Sequence, residues 1–150
     1  MVKRIFVWDD IDASASVACF LPEHGVGEVH AMLQVEACGE LFEGQLSRLL
    51  EAYDRMMALP QLATMRPVVK RYFLSDAVNQ VGLMPAEPSS CSVSCIQQPP
   101  LGGSKVALWV YMAEVEVAAD NGFAVVSHGG YDHLWRMGIT ADTGDSYVQA

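Results

Sequence analysis

The stretch SSCSVSCIQQPPLGGSKVALWVYMAE, Ser89–Glu114, decides the fold. It reads as a strand, a turn rich in proline and glycine, and a second strand. A half-buried strand alternates apolar and polar residues, because successive side chains point to opposite faces. Val106–Met112 does not: Val106, Leu108, Val110 and Met112 fall on one side and Ala107, Trp109 and Tyr111 on the other. Both faces of this strand need a cover.

Upstream, RIFVW (Arg4–Trp8) is a short apolar strand that ends at the carboxylates Asp9 and Asp10. SASVACFL (Ser14–Leu21) and EVHAMLQVE (Glu28–Glu36) read as a hairpin around PEHGVG, whose two glycines are free to take positive φ. In the return strand Val29, Ala31, Leu33 and Val35 share one face, and His30, Met32 and Gln34 share the other. In GELFEGQLSRLLEAYDRMMALP, residues Phe42, Leu46, Leu49, Leu50, Tyr53, Met56 and Met57 recur at helical spacing, about five turns long. Glu40 and Glu43 are expected in its first turn, where carboxylates complement the helix dipole, and Pro60 ends it. RPVVKRYFLSD (Arg66–Asp76) is a further strand, followed by the connector AVNQVGLMPAEPSS.

Three strands, a long helix and three strands predict an α+β domain with the helix packed on one face of a sheet. One helix covers one face. The economical cover for the other is a second copy of the same sheet in a closed oligomer.

The 150-residue chain has 51% hydrophobic and 18% charged residues, a balance that suits one folded domain. No run of apolar residues is long enough to span a membrane, and MVKRIFVWDD does not read as a secretory signal, so a cytoplasmic location is expected. A formal charge of −9 with nine scattered basic residues argues against nucleic acid. Of Cys19, Cys38, Cys91 and Cys95, only the last two are close, and on a strand they stand about 13 Å apart, too far for one metal. Reduced, half-buried thiols are the plain reading, with Cys91 or Cys95 lining a pocket as the alternative. His128 and His133 flank a Gly-Gly turn with no third ligand nearby. No metal or cofactor site is expected.

VVKRYFLSDAVNQ (Val68–Gln80), followed by CSVSCIQQPPLGGSKVALWVYM (Cys91–Met112), resembles the RidA superfamily, also called YjgF or L-PSP endoribonuclease-like, in a long, divergent branch. The resemblance runs from about Ile5 to Met112. It implies a chorismate-mutase-like α+β fold. It also implies a homotrimer whose sheets face inward as a barrel, with ligand pockets between subunits. The best-known members hydrolyse enamines and imines. They hold the substrate carboxylate with an arginine and order a water with a glutamate. The arginine would fall near Ser90–Ser92 and the glutamate near Ala107, and neither is present. A hydroxyl does not replace a bidentate Arg–carboxylate pair.

The expectation is therefore a small-metabolite-binding protein. An imine deaminase with an altered grip is the alternative. The candidate ligand-binding residues are Arg71, Tyr72, Ser90, Cys91, Ser92, Gln97 and Gln98. Arg71 would supply the missing charge from a neighbouring strand; the plainer reading puts Lys70 and Arg71 at a solvated strand edge. Gln97 and Gln98, before Pro99–Pro100, also suit a role in satisfying turn backbone.

The resemblance implies a RidA-like domain over residues 1–116 and an extension over 117–150. Phe123–Ser127 and His133–Met137 read as strands around His128-Gly129-Gly130. HLWRMGITADTGDSYVQ resembles the opening of a second such unit, so the sequence reads as part of a two-unit protein or as a short form; an unrelated C-terminal hairpin is the alternative. Either way, Phe123, Val125, Leu134, Trp135 and Met137 are expected to dock rather than stand exposed.

Overall fold

A computed structural model describes residues 1–37, 39–86, 91–120 and 123–136. Strands β1 (Val2–Trp8), β2 (Ala13–Phe20) and β3 (Glu28–Val35) precede helix α1 (Phe42–Met57). Strand β4 (Arg66–Leu74), the short helix α2 (Ala77–Gln80), β5 (Ser92–Gln97) and β6 (Val106–Ala113) complete the first unit. These six strands form one sheet in the order β1-β2-β3-β6-β4-β5. Every neighbouring pair is antiparallel except β4 and β5, which run parallel, so the sheet is mixed. β7 (Ala118–Asp120), β8 (Phe123–His128) and β9 (Tyr131–Arg136) form a second, three-stranded sheet. Among the described residues, no helix is long and apolar enough to cross a membrane.

The α+β architecture is as expected, with α1 lying on one face of the sheet. Its buried stripe of Phe42, Leu46, Leu49, Ala52 and Met56 packs on Ala15, Val17, Val29, Ala31, Leu33, Leu108, Val110 and Met112. The alternation read in β3 holds: Val29, Ala31, Leu33 and Val35 are buried, and His30 and Gln34 are exposed. Glu43 is in the first turn of α1, but Glu40 precedes the helix and pairs with Arg48 at 2.9 Å. Arg48 also donates to the backbone carbonyls of Ile11, Asp12 and Glu36, fixing α1 to the ends of β2 and β3. Asp12 itself takes a left-handed backbone, φ 44°, at the corner between β1 and β2.

Helix α2 lies within the stretch read as a connector. Its cue is local: Asp76 caps it, accepting from the Asn79 backbone N–H at 3.4 Å and from Asn79 Nδ2 at 2.6 Å.

The reading of Lys70 and Arg71 as a solvated edge is corrected. β4 lies between β6 and β5, and Lys70 is 6% exposed, its ammonium 4.3 Å from the centroid of the Tyr53 ring on the helix side. Arg71, one residue on, points to the opposite face.

The second face of β6 has a cover from the chain itself at one end. Ala124 and Val126 of β8, with Trp135 of β9, pack over Val68, Val69, Tyr111 and Ala113. Gly129 and Gly130, at φ 61° and 81°, make the two-residue turn between β8 and β9 that their paired positive φ values allow. The docked face differs from the one expected: Ala124 and Val126 point inward, while Leu134 is exposed. Met137 and the segment that resembles the start of a second unit's helix lie outside the described residues.

Candidate functional site

Beside the C-terminal sheet, two registers of the six-stranded sheet carry several side chains on this face that the described residues leave exposed or half-buried. One register runs Ile5, Ser16, Met32, Trp109, Arg71 and Ser94 across the six strands. The next runs Val7, Ser14, Gln34, Ala107, Phe73 and Ile96. Ile5 is 67% and Val7 62% exposed, large values for apolar side chains on a sheet face. Trp109, Met32, Arg71 and Phe73 are half-buried.

Arg71 sits on β4, next to the edge strand β5. Its Nε donates to Ser94 Oγ at 3.3 Å, and the guanidinium carbon stands 5.8 Å from the Trp109 ring centroid. Trp109 in turn stacks on His30 at 5.8 Å, His30 on Tyr111 at 5.0 Å, and Tyr111 meets Trp135 at 5.2 Å. This continuous aromatic run follows from strand register: His30 pairs with Tyr111 and lies diagonal to Trp109. Tyr111 donates its hydroxyl to Glu28 at 3.0 Å. Burial, then the Glu28 hydrogen bond and charge, push its phenol up to about 12, so it stays a donor at neutral pH.

The predicted site residues separate. Arg71 and Ser92 share the open side of the sheet with Ser94. Ser92 is buried and donates through Oγ to the Trp135 carbonyl at 3.0 Å, so it anchors the C-terminal sheet. Tyr72 is 0% exposed and packs in the core beneath α1, away from Arg71. Adjacent strand residues point to opposite faces, so a pocket holding both side chains is not formed. Cys91 is buried just before β5; Cys19, Cys91 and Cys95 are thiols, and Cys38 lies outside the described residues. Gln97 and Gln98 are exposed at the end of β5, and the Gln98 backbone N–H donates to the carbonyls of Leu74 and Ile96. Ser90 lies outside the described residues. No three His, Cys, Asp or Glu side chains converge as metal ligands among the described residues.

Trp109 and His30, with Trp135 beyond them, were not among the predicted site residues. The cue was available: a tryptophan on the outward side of an apolar strand and a histidine on the outward side of its neighbour. A cavity of about 490 Å³ was also not anticipated. It opens at the end of the sheet between Trp8, Asp9, Asp12, Gln34, Glu36 and Leu101, and none of the predicted residues line it. Asp12 there faces Arg48 at 3.7 Å. The cavity is wide and rimmed by carboxylates, whereas the Arg71 face combines a cation, ring faces and apolar surface, the mix that fixes a small ligand.

Neither a known protein family, nor a characterised protein, nor a solved structure matches this chain.

Proposed function

We propose that the chain is a RidA-like small-metabolite-binding protein that assembles as a homotrimer, with the open sheet face turned inward and the ligand held near Arg71 in a cleft between subunits. The observation that carries this reading is the uneven cover of the six-stranded sheet. Helix α1 buries one face and the C-terminal sheet covers one end of the other. Among the described residues, Ile5 and Val7 stay exposed and Met32, Trp109 and Phe73 are half-buried, Trp109 partly against the cluster under the C-terminal sheet. Apolar surface of this extent on a soluble domain marks an interface. A mixed sheet with its helices on one side supports a chorismate-mutase-like fold, and a closed ring of copies would give each exposed register an equivalent partner.

Catalysis of the imine-deaminase type is not favoured. Ser92, near the place of the family's arginine, is buried and occupied by the Trp135 carbonyl, and Ala107, near the place of its glutamate, carries no carboxylate. Arg71 is a guanidinium on the open face, and this favours carboxylate binding, by a grip from a different strand. The test is deamination of 2-imino acids generated in situ, read by loss of semicarbazide trapping. The expected result is no acceleration over the uncatalysed rate. Rapid turnover that Arg71→Ala abolishes would overturn the non-catalytic reading in favour of a deaminase with an altered grip.

A further inference from the structure

The outer edge of the six-stranded sheet is separate from the ring of copies and from the ligand proposed above. We propose that β1 pairs antiparallel with β1 of a second copy, across a two-fold axis at Phe6, in a register that sets Lys3 of each chain opposite Asp9 of the other.

Strand β1 closes one side of the sheet and pairs only with β2. Its seven residues, Val2–Trp8, match β2 without a register shift and contain no proline or glycine. Among the described residues, no further backbone hydrogen bond reaches its outer side. The outward N–H and C=O groups of such a strand are a template for another strand, and proteins blunt them with prolines, bulges, short strands or charges. Of these devices β1 carries only charge: Lys3 and Arg4 near its start, Asp9 and Asp10 just past its end. Asp10 is taken by Arg55 at 2.7 Å. Among the described residues, Lys3 and Asp9 make no side-chain ion pair or hydrogen bond.

The order of the charges selects the partner. Lys3, Ile5, Val7 and Asp9 alternate onto one side: a cation, two apolar side chains and an anion, all exposed. An antiparallel copy with Phe6 opposite Phe6 sets Lys3 opposite Asp9 at both ends and Ile5 opposite Val7 twice between them. On the other side Arg4 falls opposite Trp8, so no like charges meet. Parallel pairing in register would stack Lys3 on Lys3 and Asp9 on Asp9. An antiparallel pair centred on Ile5 would set Lys3 opposite Val7 and leave Asp9 without a partner. The charges that guard this edge against other strands therefore admit a second copy in one register. Side chains stand perpendicular to a sheet, so pairing at the edge leaves Ile5 and Val7 on the face that the ring is proposed to cover. A contact between two seven-residue strands is smaller than the roughly 1,200 Å² at which stable interfaces begin, so it forms only at high protein concentration.

The assay is sedimentation equilibrium of the intact protein from about 5 µM to about 1 mM, with half-saturation expected on the order of 10⁻⁴ M. The mass should double with concentration, to six 16.3 kDa chains, about 98 kDa, where the ring is present, and to two chains where it is not. Lys3→Glu and Asp9→Lys should each weaken the doubling at least fivefold, since each sets like charges at both ends of the pair. The two changes in one chain should restore it to within twofold. Both side chains are exposed, so the variants keep the fold. In a mixture of labelled and unlabelled chains, isotope-filtered NMR should show the Ile5 methyls of one copy against the Val7 methyls of the other. No doubling over this range, doubling that Lys3→Glu leaves unchanged, or failure of the double exchange to restore it would each overturn the proposal. A particle of three chains that never doubles would remove this contact and keep the ring; one that passes from a single chain to two would do the reverse.

Discussion

Replacing Val126 by aspartate should detach the C-terminal sheet and leave the first sheet folded. Val126 is 1% exposed and packs with Ala124 over Val68, Val69 and Tyr111. Removing its apolar burial forfeits about 2 kcal/mol. Placing an unpaired carboxylate in the same apolar contact adds several kcal/mol unless the group escapes to water. Together this weakens docking by a factor on the order of 10³ or more, since about 1.4 kcal/mol corresponds to tenfold. The core under α1 is a separate set of residues that Val126 does not touch, so it should survive. Limited proteolysis combined with amide exchange is the assay. The wild type should resist cleavage between residues 115 and 123, and Val126→Asp should be clipped there while the amides of β3 and β6 stay protected. Exposed Val68 and Val69 should also lower its solubility. Rapid clipping of the wild type, with the remaining core unchanged in melting temperature, would refute the reasoning, because the sheet would then be a passenger. Global unfolding of Val126→Asp would refute it from the other side, by showing that the two cores are not separable.

Three further outcomes are expected. Ile5→Glu and Val7→Glu should leave the single chain within about 0.5 kcal/mol of its stability, since both side chains are mostly exposed there, yet abolish assembly; Leu108→Glu, fully buried under α1, should prevent folding altogether. Arg48→Ala should cost about 3 kcal/mol in a denaturant titration, because three backbone carbonyls lose a charged donor, and Arg48→Lys should recover little of it. Tyr111 should ionise near pH 12, above its ordinary value of 10, in an ultraviolet titration. The raised value stabilises the fold below pH 10, and that contribution is lost as pH rises toward 12. Glu28→Gln should lower the midpoint only part of the way, because burial is the larger cause.

The strands and the long helix were legible because they are periodic. Alternation in Val29–Val35 fixed both register and facing, and the stripe from Phe42 to Met56 fixed the buried side of α1. Helix α2 was not legible, because four residues are too few for a period to show, and only the Asp76 cap marks it. The two-sided apolarity of β6 demanded a second cover, but sequence gives no means of seeing that the chain's own C-terminal sheet supplies part of it. The docked face of β8 was misjudged for a related reason: Phe123 and Val125 are more apolar in aggregate than Ala124 and Val126, yet Ala124 and Val126 are the buried pair. At the site, adjacency along the chain misled. Arg71 and Tyr72 are neighbours in sequence and stand on opposite faces, while Arg71, Trp109 and Ser94 come together only through the order β6-β4-β5.

The measurement that tests the account most directly is the mass of the native particle by sedimentation equilibrium at micromolar concentration. Among the described residues Ile5 and Val7 stand exposed beside the half-buried Met32, Trp109 and Phe73, and the proposed reading covers this face with other copies, so it predicts a particle of three 16.3 kDa chains, about 49 kDa. A stable particle of one chain's mass, soluble and without concentration dependence, would contradict it.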